Sequence, residues 1–310
     1  MFSYSNVLNN INMDNRIELS DLITECVNDI SILNEANSIK DAFLNIINKI
    51  IKFIYNQYKN LLLFLETKIK DSNSIIKKYK PLLESLSDSE ISEFIYEKID
   101  YNIDLKIPVY IDIAAFIDKN IDIMASGSVN KASLYELKEK LPIKLSNIRG
   151  QIMGLTRSVT IMDFDIELER LFIPSKREVF ETRMAKTELM NMIKDVENRP
   201  TLEKQIKYDL KRIIDIFDEY RRKISNMYVL NYTSNSKGIE IKLSPENKHT
   251  LSIIDANYYI EYQSTIINFI VDIIKTYSVV VDHKLQVIKE KVQRESEILK
   301  QLLLLIDKRR

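Results

Sequence analysis

The sequence has few of the residues that turns and bends use most. It contains 4 Gly, 6 Pro and no Trp among its 310 residues. Glycine and proline are the residues least compatible with a helix interior, and they supply many of the tight turns of folded chains. Their scarcity therefore favours long helices that are joined by few loops.

Cysteine is also scarce, and there is no net charge. Cys26 is the single cysteine, which excludes an intramolecular disulfide and a cysteine-rich metal site. The 45 basic and 45 acidic residues cancel, so no overall field draws the chain to nucleic acid or to anionic lipid.

Residues 1–15 lack a basic region followed by an apolar block, so no secretory signal is predicted. The most apolar windows, 43–65 and 266–281, contain charged residues, so no membrane span is predicted.

The strongest pattern in the chain lies at its C-terminal end. Residues 257–308 read as one long amphipathic helix, in which apolar residues recur every three or four positions from Ile266 to Ile306. Glu295 alone interrupts this stripe. The spacing averages about 3.6 residues, which is the period of a straight helix rather than that of a left-handed coiled coil. Such a stripe needs a groove about 60 Å long, on this chain or on a partner.

Two other segments, 39–70 and 201–228, carry apolar stripes and are the candidate walls of that groove. At about 30 residues each they reach roughly 45 Å, which is shorter than the stripe of the terminal helix. The end of the terminal helix is therefore predicted to remain available to a partner. This predicted partner surface consists of Ile298, Leu299, Leu302, Leu303 and Ile306.

Interruptions and a little β-structure are expected between the long helices. A cap at 71–74 and the prolines Pro81, Pro142 and Pro200 are predicted to end or break helices. Helical patterns are also predicted over about 91–98 and 176–197. Alternation over 100–112 indicates an edge strand or an extended segment, and a few strand-like residues are indicated near 238–243.

The predicted fold is mainly α, an elongated bundle of long amphipathic helices with at most a small β element. A flexible arm (1–18) precedes an N-terminal helical region (19–125) and a central helical region (131–230). An irregular connection (231–250) leads to the long C-terminal helix (251–310), which is expected to pack on the other helices.

Two glycines, Gly150 and Gly154, suggest either a phosphate-binding loop or the end of a helix with a tight turn. A phosphate loop needs a lysine and then a serine or threonine at a fixed spacing, and residues 155–157 do not supply them. The helix end is therefore the favoured interpretation.

The acidic residues Asp163 and Asp165 are the best candidates for catalysis, since some glycosyl transferases hold a metal and a nucleotide with such a pair. That use requires a strand end, whereas the surrounding pattern is helical and favours an acidic helix start. His249 and His283 have no neighbouring metal ligands at helical spacing. No catalytic, cofactor-binding or metal-binding residue is predicted, and the chain is not expected to be an enzyme.

Two stretches of the sequence carry a family resemblance. One is Leu-Ser-Asn-Ile-Arg-Gly-Gln-Ile-Met-Gly at 145–154, followed by Leu-Glu-Arg-Leu-Phe at 168–172. The other is His-Lys-Leu at 283–285 with Ile-Leu-Lys-Gln-Leu-Leu at 298–303. Together they resemble virion structural proteins of large tailed phages that infect low-GC Gram-positive bacteria. The resemblance implies a role in the capsid interior, neck or tail, with no catalytic site.

The resemblance also raises the question of proteolytic maturation. In tailed phages with a maturation protease of one common kind, substrates are cut after Leu or Ile, any residue and Glu, before a small residue. Residues 33–36 fit this pattern, which places a candidate cleavage between Glu35 and Ala36, and residues 82–85 fit it too. Such tetrapeptides also arise by chance in a chain this rich in Leu, Ile and Glu.

The predicted function is helix-mediated assembly in a phage particle. Its partners would be other virion proteins or copies of the chain itself, and its location the virion, after assembly in the bacterial host cytoplasm. The alternative is a cytoplasmic helical protein-binding module that is made during infection and never packaged. No cofactor, no small-molecule substrate and no specific nucleic acid is predicted.

Overall fold

The computed structural model describes residues 36–99, 114–172, 179–226, 232–235, 238–242 and 248–309. Most of these residues are helical, which confirms the predicted mainly α fold. The helices are α1 (Ala36–Ser85), α2 (Asp88–Ser92), α3 (Ala114–Ala125), α4 (Lys131–Met153), α5 (Ile161–Phe172), α6 (Lys186–Asn226) and α7 (Ile253–Arg309). The strands are β1 (Ile95–Ile99), β2 (Val179–Arg183), β3 (Tyr232–Asn235), β4 (Gly238–Lys242) and β5 (Lys248–Leu251). The predicted arm, 1–18, lies outside the described residues.

The chain divides into two compact units, each drawn from three separate segments. The described residues of the first unit lie within Met1–Ile54, Pro108–Ile161 and Ile213–Val280. Those of the second unit lie within Tyr55–Ile107, Met162–Arg212 and Val281–Arg310. The helices α1, α6 and α7 each contribute residues to both units. Each unit thus combines described residues from the predicted regions 19–125, 131–230 and 251–310.

The long helices run through the predicted interruptions. α1 has 50 residues and contains Pro81, α4 contains Pro142, and α6 has 41 residues and contains Pro200. The predicted breaks at these prolines and at 71–74 are therefore wrong. A proline removes one intrahelical hydrogen bond, but buried neighbours hold each helix in place beside it, as Leu83, Leu141 and Arg199 do.

A two-stranded antiparallel sheet in the second unit replaces helix at two predicted places. Ile95 pairs with Arg183 and Ile99 with Val179, and the Met184 amide donates to the Phe94 carbonyl at 2.9 Å. Helices were expected at 91–98 and 176–197, and both expectations are wrong at these strands. β-branched and aromatic residues such as those of β1 favour extended structure once a partner strand is present.

A second sheet, in the first unit, has the strand order β3-β4-β5 and is antiparallel throughout. Its central strand, β4, confirms the strand-like residues predicted near 238–243. The region 231–250, expected to be irregular, thus holds three strands among its described residues. The predicted extended segment at 100–112 lies outside the described residues.

The core of the second unit gathers residues from four helices, α1, α2, α6 and α7, and from the segment around β1. Leu83 of α1 and Ile91 of α2 are fully buried in it. Its remaining members are Ile76, Leu86, Phe94, Tyr96, Met184, Leu189, Ile193, Val196, Leu299, Leu302 and Leu303. The last three belong to α7, so the end of the terminal helix is part of a core of this chain.

The core of the first unit is built on the first half of α7. Ile266, Ile270 and Ile273 are buried, as the apolar stripe predicts. The ring of Phe269 packs on that of Phe116 from α3, with centroids 4.9 Å apart. The Tyr277 ring meets the Phe217 ring of α6 edge-on at 5.4 Å. Aromatic contacts of this kind add to the stabilisation that burial provides.

The two glycines of α4 mark a helix end, as favoured from sequence. Gly154 follows the last residue of α4 with φ of 71° in the left-handed region. The chain then folds back, because the Leu155 amide donates to the Gly150 carbonyl at 2.8 Å and the Val159 amide donates to the Ser146 carbonyl at 2.9 Å. Backbone passes so close to Gly150 that this position has no room for a side chain.

Candidate functional site

The predicted partner surface at the end of α7 is wrong. Leu299, Leu302 and Leu303 are buried in the core of the second unit, and Ile298 and Ile306 pack against that core, partly buried. The physical reason is helix length: α1 and α6 do not stop at their predicted breaks. The turns beyond those breaks, which the candidate walls 39–70 and 201–228 did not include, supply Ile76, Leu83, Leu189, Ile193 and Val196, which cover the end of α7.

A different side of the same helix end carries exposed apolar residues. The side chain of Leu304 is 61% exposed and that of Leu305 41%. Lys300 and Lys308 are exposed four residues before and after Leu304, so the three side chains form one row on the helix. We call Lys300, Leu304, Leu305 and Lys308 the α7 tip.

Glu295, which interrupts the apolar stripe, is the centre of a buried ionic contact between α6 and α7. The Arg199 guanidinium, 1% exposed, donates from Nη2 to Glu295 Oε2 at 3.2 Å and to the Val292 carbonyl at 3.1 Å. Its Nη1 donates to Ser296 Oγ at 3.0 Å. Lys291 Nζ lies 3.5 Å from Glu295 Oε1. This cluster joins α6 and α7 by specific contacts within the second unit.

Burial acts on the charges of this cluster in opposite directions. It raises the pKa of the Glu295 carboxyl, against which Lys291 and Arg199 act to lower it. It lowers the pKa of the Arg199 guanidinium, against which Glu295 acts to raise it. Each charge therefore depends on the other for its stability in a site with little water.

A second polar contact joins β1 to the start of α6. Glu188 accepts hydrogen bonds from Tyr96 Oη at 3.0 Å, from Lys98 Nζ at 2.5 Å and from the Ala185 amide at 3.3 Å. Burial raises the pKa of Glu188, but these three donors outweigh it, and the net pKa is lowered. Burial and the nearby carboxylate raise the pKa of Tyr96 to about 12.

The lowered pKa of Glu188 gives stability a defined dependence on acid. The contact stabilises the fold fully above the ordinary pKa of 4.5, and this contribution is lost as the pH falls through the lower folded-state value. We expect the urea midpoint to fall less steeply below pH 4.5 in Glu188→Gln than in the wild type. Lys98→Met should flatten the dependence similarly, because it removes the main donor. Unchanged acid profiles in both variants would contradict this account.

Polar side chains along the first half of α7 are also engaged within the first unit. Tyr262 Oη donates to Asn120 Oδ1 at 2.6 Å, and Asn120 Nδ2 donates to the Phe116 carbonyl at 2.6 Å. Arg149 Nε donates to Thr276 Oγ1 at 3.5 Å. Burial raises the pKa of Asp272, which Lys275 and Arg149 act to lower. These groups join α3 and α4 to α7 by specific contacts.

The residues weighed for catalysis do not form an acid pair. Asp163 and Asp165 lie in α5 two positions apart, where helix geometry directs side chains to nearly opposite sides. His249 lies in β5, and His283 lies in α7 with its side chain buried. Within the part of the chain that the structure describes, no group of three or more His, Cys, Asp or Glu residues is placed to hold a metal ion.

The candidate cleavage site lies at the edge of the described residues. Glu35 lies outside them, and Ala36 is the first residue of α1. The second tetrapeptide, 82–85, lies in the last turn of α1, where Leu83 is fully buried. A protease needs an extended, accessible chain, so this second match is not a substrate in the folded protein. Cleavage after Glu35 stays a prediction.

α5 exposes apolar residues next to its acidic ones. Met162 is 72% exposed and Ile166 41%, while Phe164 on the opposite side is buried. Asp165 is exposed between them. We call Met162, Asp165 and Ile166 the α5 face.

By length and composition alone, one helix of the described residues would be able to cross a membrane. It is Ile253–Lys308, whose most apolar 18-residue window has a mean hydropathy of 1.5 and is 67% buried within the chain. Core helices of water-soluble proteins pass the same test, so this is weak support for a span. That no segment spans a membrane stays a prediction.

Comparison with known proteins identified no relative of the chain. No protein-family model, no curated protein and no solved structure matches the chain. The fold defines the chain as a mainly helical protein whose long helices pack through apolar cores that also contain buried ionic and polar contacts. It exposes apolar residues on the α5 face and the α7 tip.

Proposed function

We propose that the chain is a non-enzymatic structural component of a bacteriophage particle and that it assembles through helix surfaces. Its partners are copies of itself or neighbouring virion proteins, and its place is the capsid interior, the neck or the tail. The sequence resemblance at 145–154 and 283–303 supports this role.

The observation that carries the proposal is that the buried polar side chains of the long helices make contacts within the chain, while some apolar side chains remain exposed. The buried polar residues Arg199 and Glu295 serve contacts inside the chain. The α5 face and the α7 tip, by contrast, present large apolar side chains to solvent. Contiguous exposed apolar side chains are a common feature of surfaces that associate with other proteins, and this supports the proposed role.

The second candidate is a cytoplasmic helical binding module that is made during infection and never packaged. The same exposed side chains favour it, because they suit any helical partner. A metal-dependent enzyme that uses Asp163 and Asp165 is less favoured, since α5 directs these carboxylates to different sides.

Purified particles distinguish the two candidates. We expect quantitative mass spectrometry of density-gradient-purified particles to find the chain in several copies per particle, at a constant ratio to the major capsid protein. A chain confined to the soluble fraction of infected cells at all times of infection would overturn the proposal and favour the binding module. Peptides spanning Glu35 and Ala36 in the same digest would show that this bond is intact in the particle.

A further inference from the structure

The α5 face and the α7 tip are complementary surfaces of the second unit. Both are exposed, so neither covers the other within the chain. Each has exposed side chains in a row spaced by four along its helix: Met162 and Ile166 on α5, and Lys300, Leu304 and Lys308 on α7. Rows spaced by four are the ridges that interdigitate when two helices pack.

The charges of the two surfaces have opposite sign. The charge of the α5 face is the exposed carboxylate of Asp165, which lies three residues after Met162 and one before Ile166. The α7 tip presents Lys300 and Lys308 beside Leu304 and Leu305. The pKa of Lys78 in α1 is raised mainly by Tyr79 and to a smaller extent by Asp307, the acidic residue of the last turn of α7. Opposite charges around apolar centres favour one pairing and one orientation.

We propose that the α5 face of one copy binds the α7 tip of a second copy, so that the chain assembles head to tail. The inference rests on the proposed function, since it names the contact by which the structural role would be carried out. Because the two surfaces are different, the contact is heterologous, and each added copy leaves one free surface of each kind. Repetition therefore yields rings or filaments rather than a closed two-fold dimer.

Complementation between two single variants tests this contact. Met162→Asp blocks the α5 face and leaves the α7 tip intact, whereas Leu304→Asp does the reverse. In sedimentation velocity over a concentration series, we expect wild type to exceed twice the chain mass of 36.4 kDa. For each variant alone, the association constant should fall by about tenfold or more, because a carboxylate replaces an apolar side chain at the contact. An equimolar mixture should form dimers and nothing larger.

The control is Ile143→Asp, at a position that is 68% exposed on α4 and outside both surfaces. It should assemble like the wild type, and the circular dichroism of all variants should match that of the wild type. A Leu304→Asp chain that assembles normally, or a mixture that stays monomeric, would overturn the head-to-tail contact. A wild-type chain that is monomeric throughout would overturn it too, while abundance of that chain in particles would leave the proposed particle role standing.

Discussion

Replacing Arg199 by methionine is expected to lower the free energy of unfolding by about 3–5 kcal/mol, the range for removing one partner of a buried ion pair. Arg199 is 1% exposed and donates to Glu295, Ser296 and the Val292 carbonyl. Methionine fills similar space but leaves the Glu295 carboxylate without its guanidinium partner. Urea unfolding followed by circular dichroism at 222 nm, the usual helix band, measures the loss.

The matched control is the double variant Arg199→Met, Glu295→Leu. It removes both charges, so it should recover most of the lost stability, to within about 1 kcal/mol of the wild type or better. The defect of the single variant should also shrink at acidic pH, because the raised pKa of Glu295 allows the carboxyl to take up a proton. A double variant as unstable as the single one would show that lost packing, not the unpaired charge, is the cause.

The sequence anticipated the long helix α7 and most of its buried face. The predicted range of 257–308 falls within the observed Ile253–Arg309, and Ile266, Ile288 and Val292 are buried as the stripe requires. Helical periodicity is a local signal that repeats at every turn, so a single exception such as Glu295 does not obscure the prediction of the helix. The interruption at Glu295 was visible too, but its partner Arg199 lies 96 residues away, and no local pattern identifies it.

Helix ends were predicted less well, and the error spread to the candidate site. The cap predicted at 71–74 and the break predicted at Pro200 shorten the two walls to 39–70 and 201–228, which do not reach the end of α7, whereas α1 and α6 run through both positions. Tertiary packing overrode the local cost of a proline in both helices. The surface predicted from Leu299, Leu302 and Leu303 consequently belongs to the core.

The exposed α7 tip did have a signal in the sequence. Residues 302–305 are four consecutive leucines, which span about 300° around a helix at about 100° per residue. One buried face cannot accommodate all four, and Leu304 and Leu305 are the two that remain outside. The pairing of β1 with β2 had no such signal, because it joins residues 80 to 88 positions apart, and the charged residues of both segments also suit a helix.

Substituting Gly150 by alanine is expected to lower the free energy of unfolding by about 3 kcal/mol, the upper part of the usual range for overpacking. An added Cβ would lie 2.1 Å from the Arg157 carbonyl oxygen, which is a backbone atom and has no rotamer to change. The returning chain would have to move away from α4, and the hydrogen bond from the Val159 amide to the Ser146 carbonyl holds it there. Equilibrium urea unfolding measures the loss.

Gly154 offers a control four residues along the same helix end. A Cβ at Gly154 meets no atom within 4 Å, so Gly154→Ala bears only the strain of φ at +71°. That strain costs about 1 kcal/mol, clearly less than the clash at Gly150. Helix propensity alone would order the variants differently, since it favours alanine over glycine by about 1 kcal/mol within a helix and Gly150 is the helical position. A Gly150→Ala variant that is as stable as the wild type, or more stable, would therefore show that the chain does not fold back onto α4. A large loss of stability in Gly150→Ala together with a small loss in Gly154→Ala requires that the returning backbone lies close to Gly150.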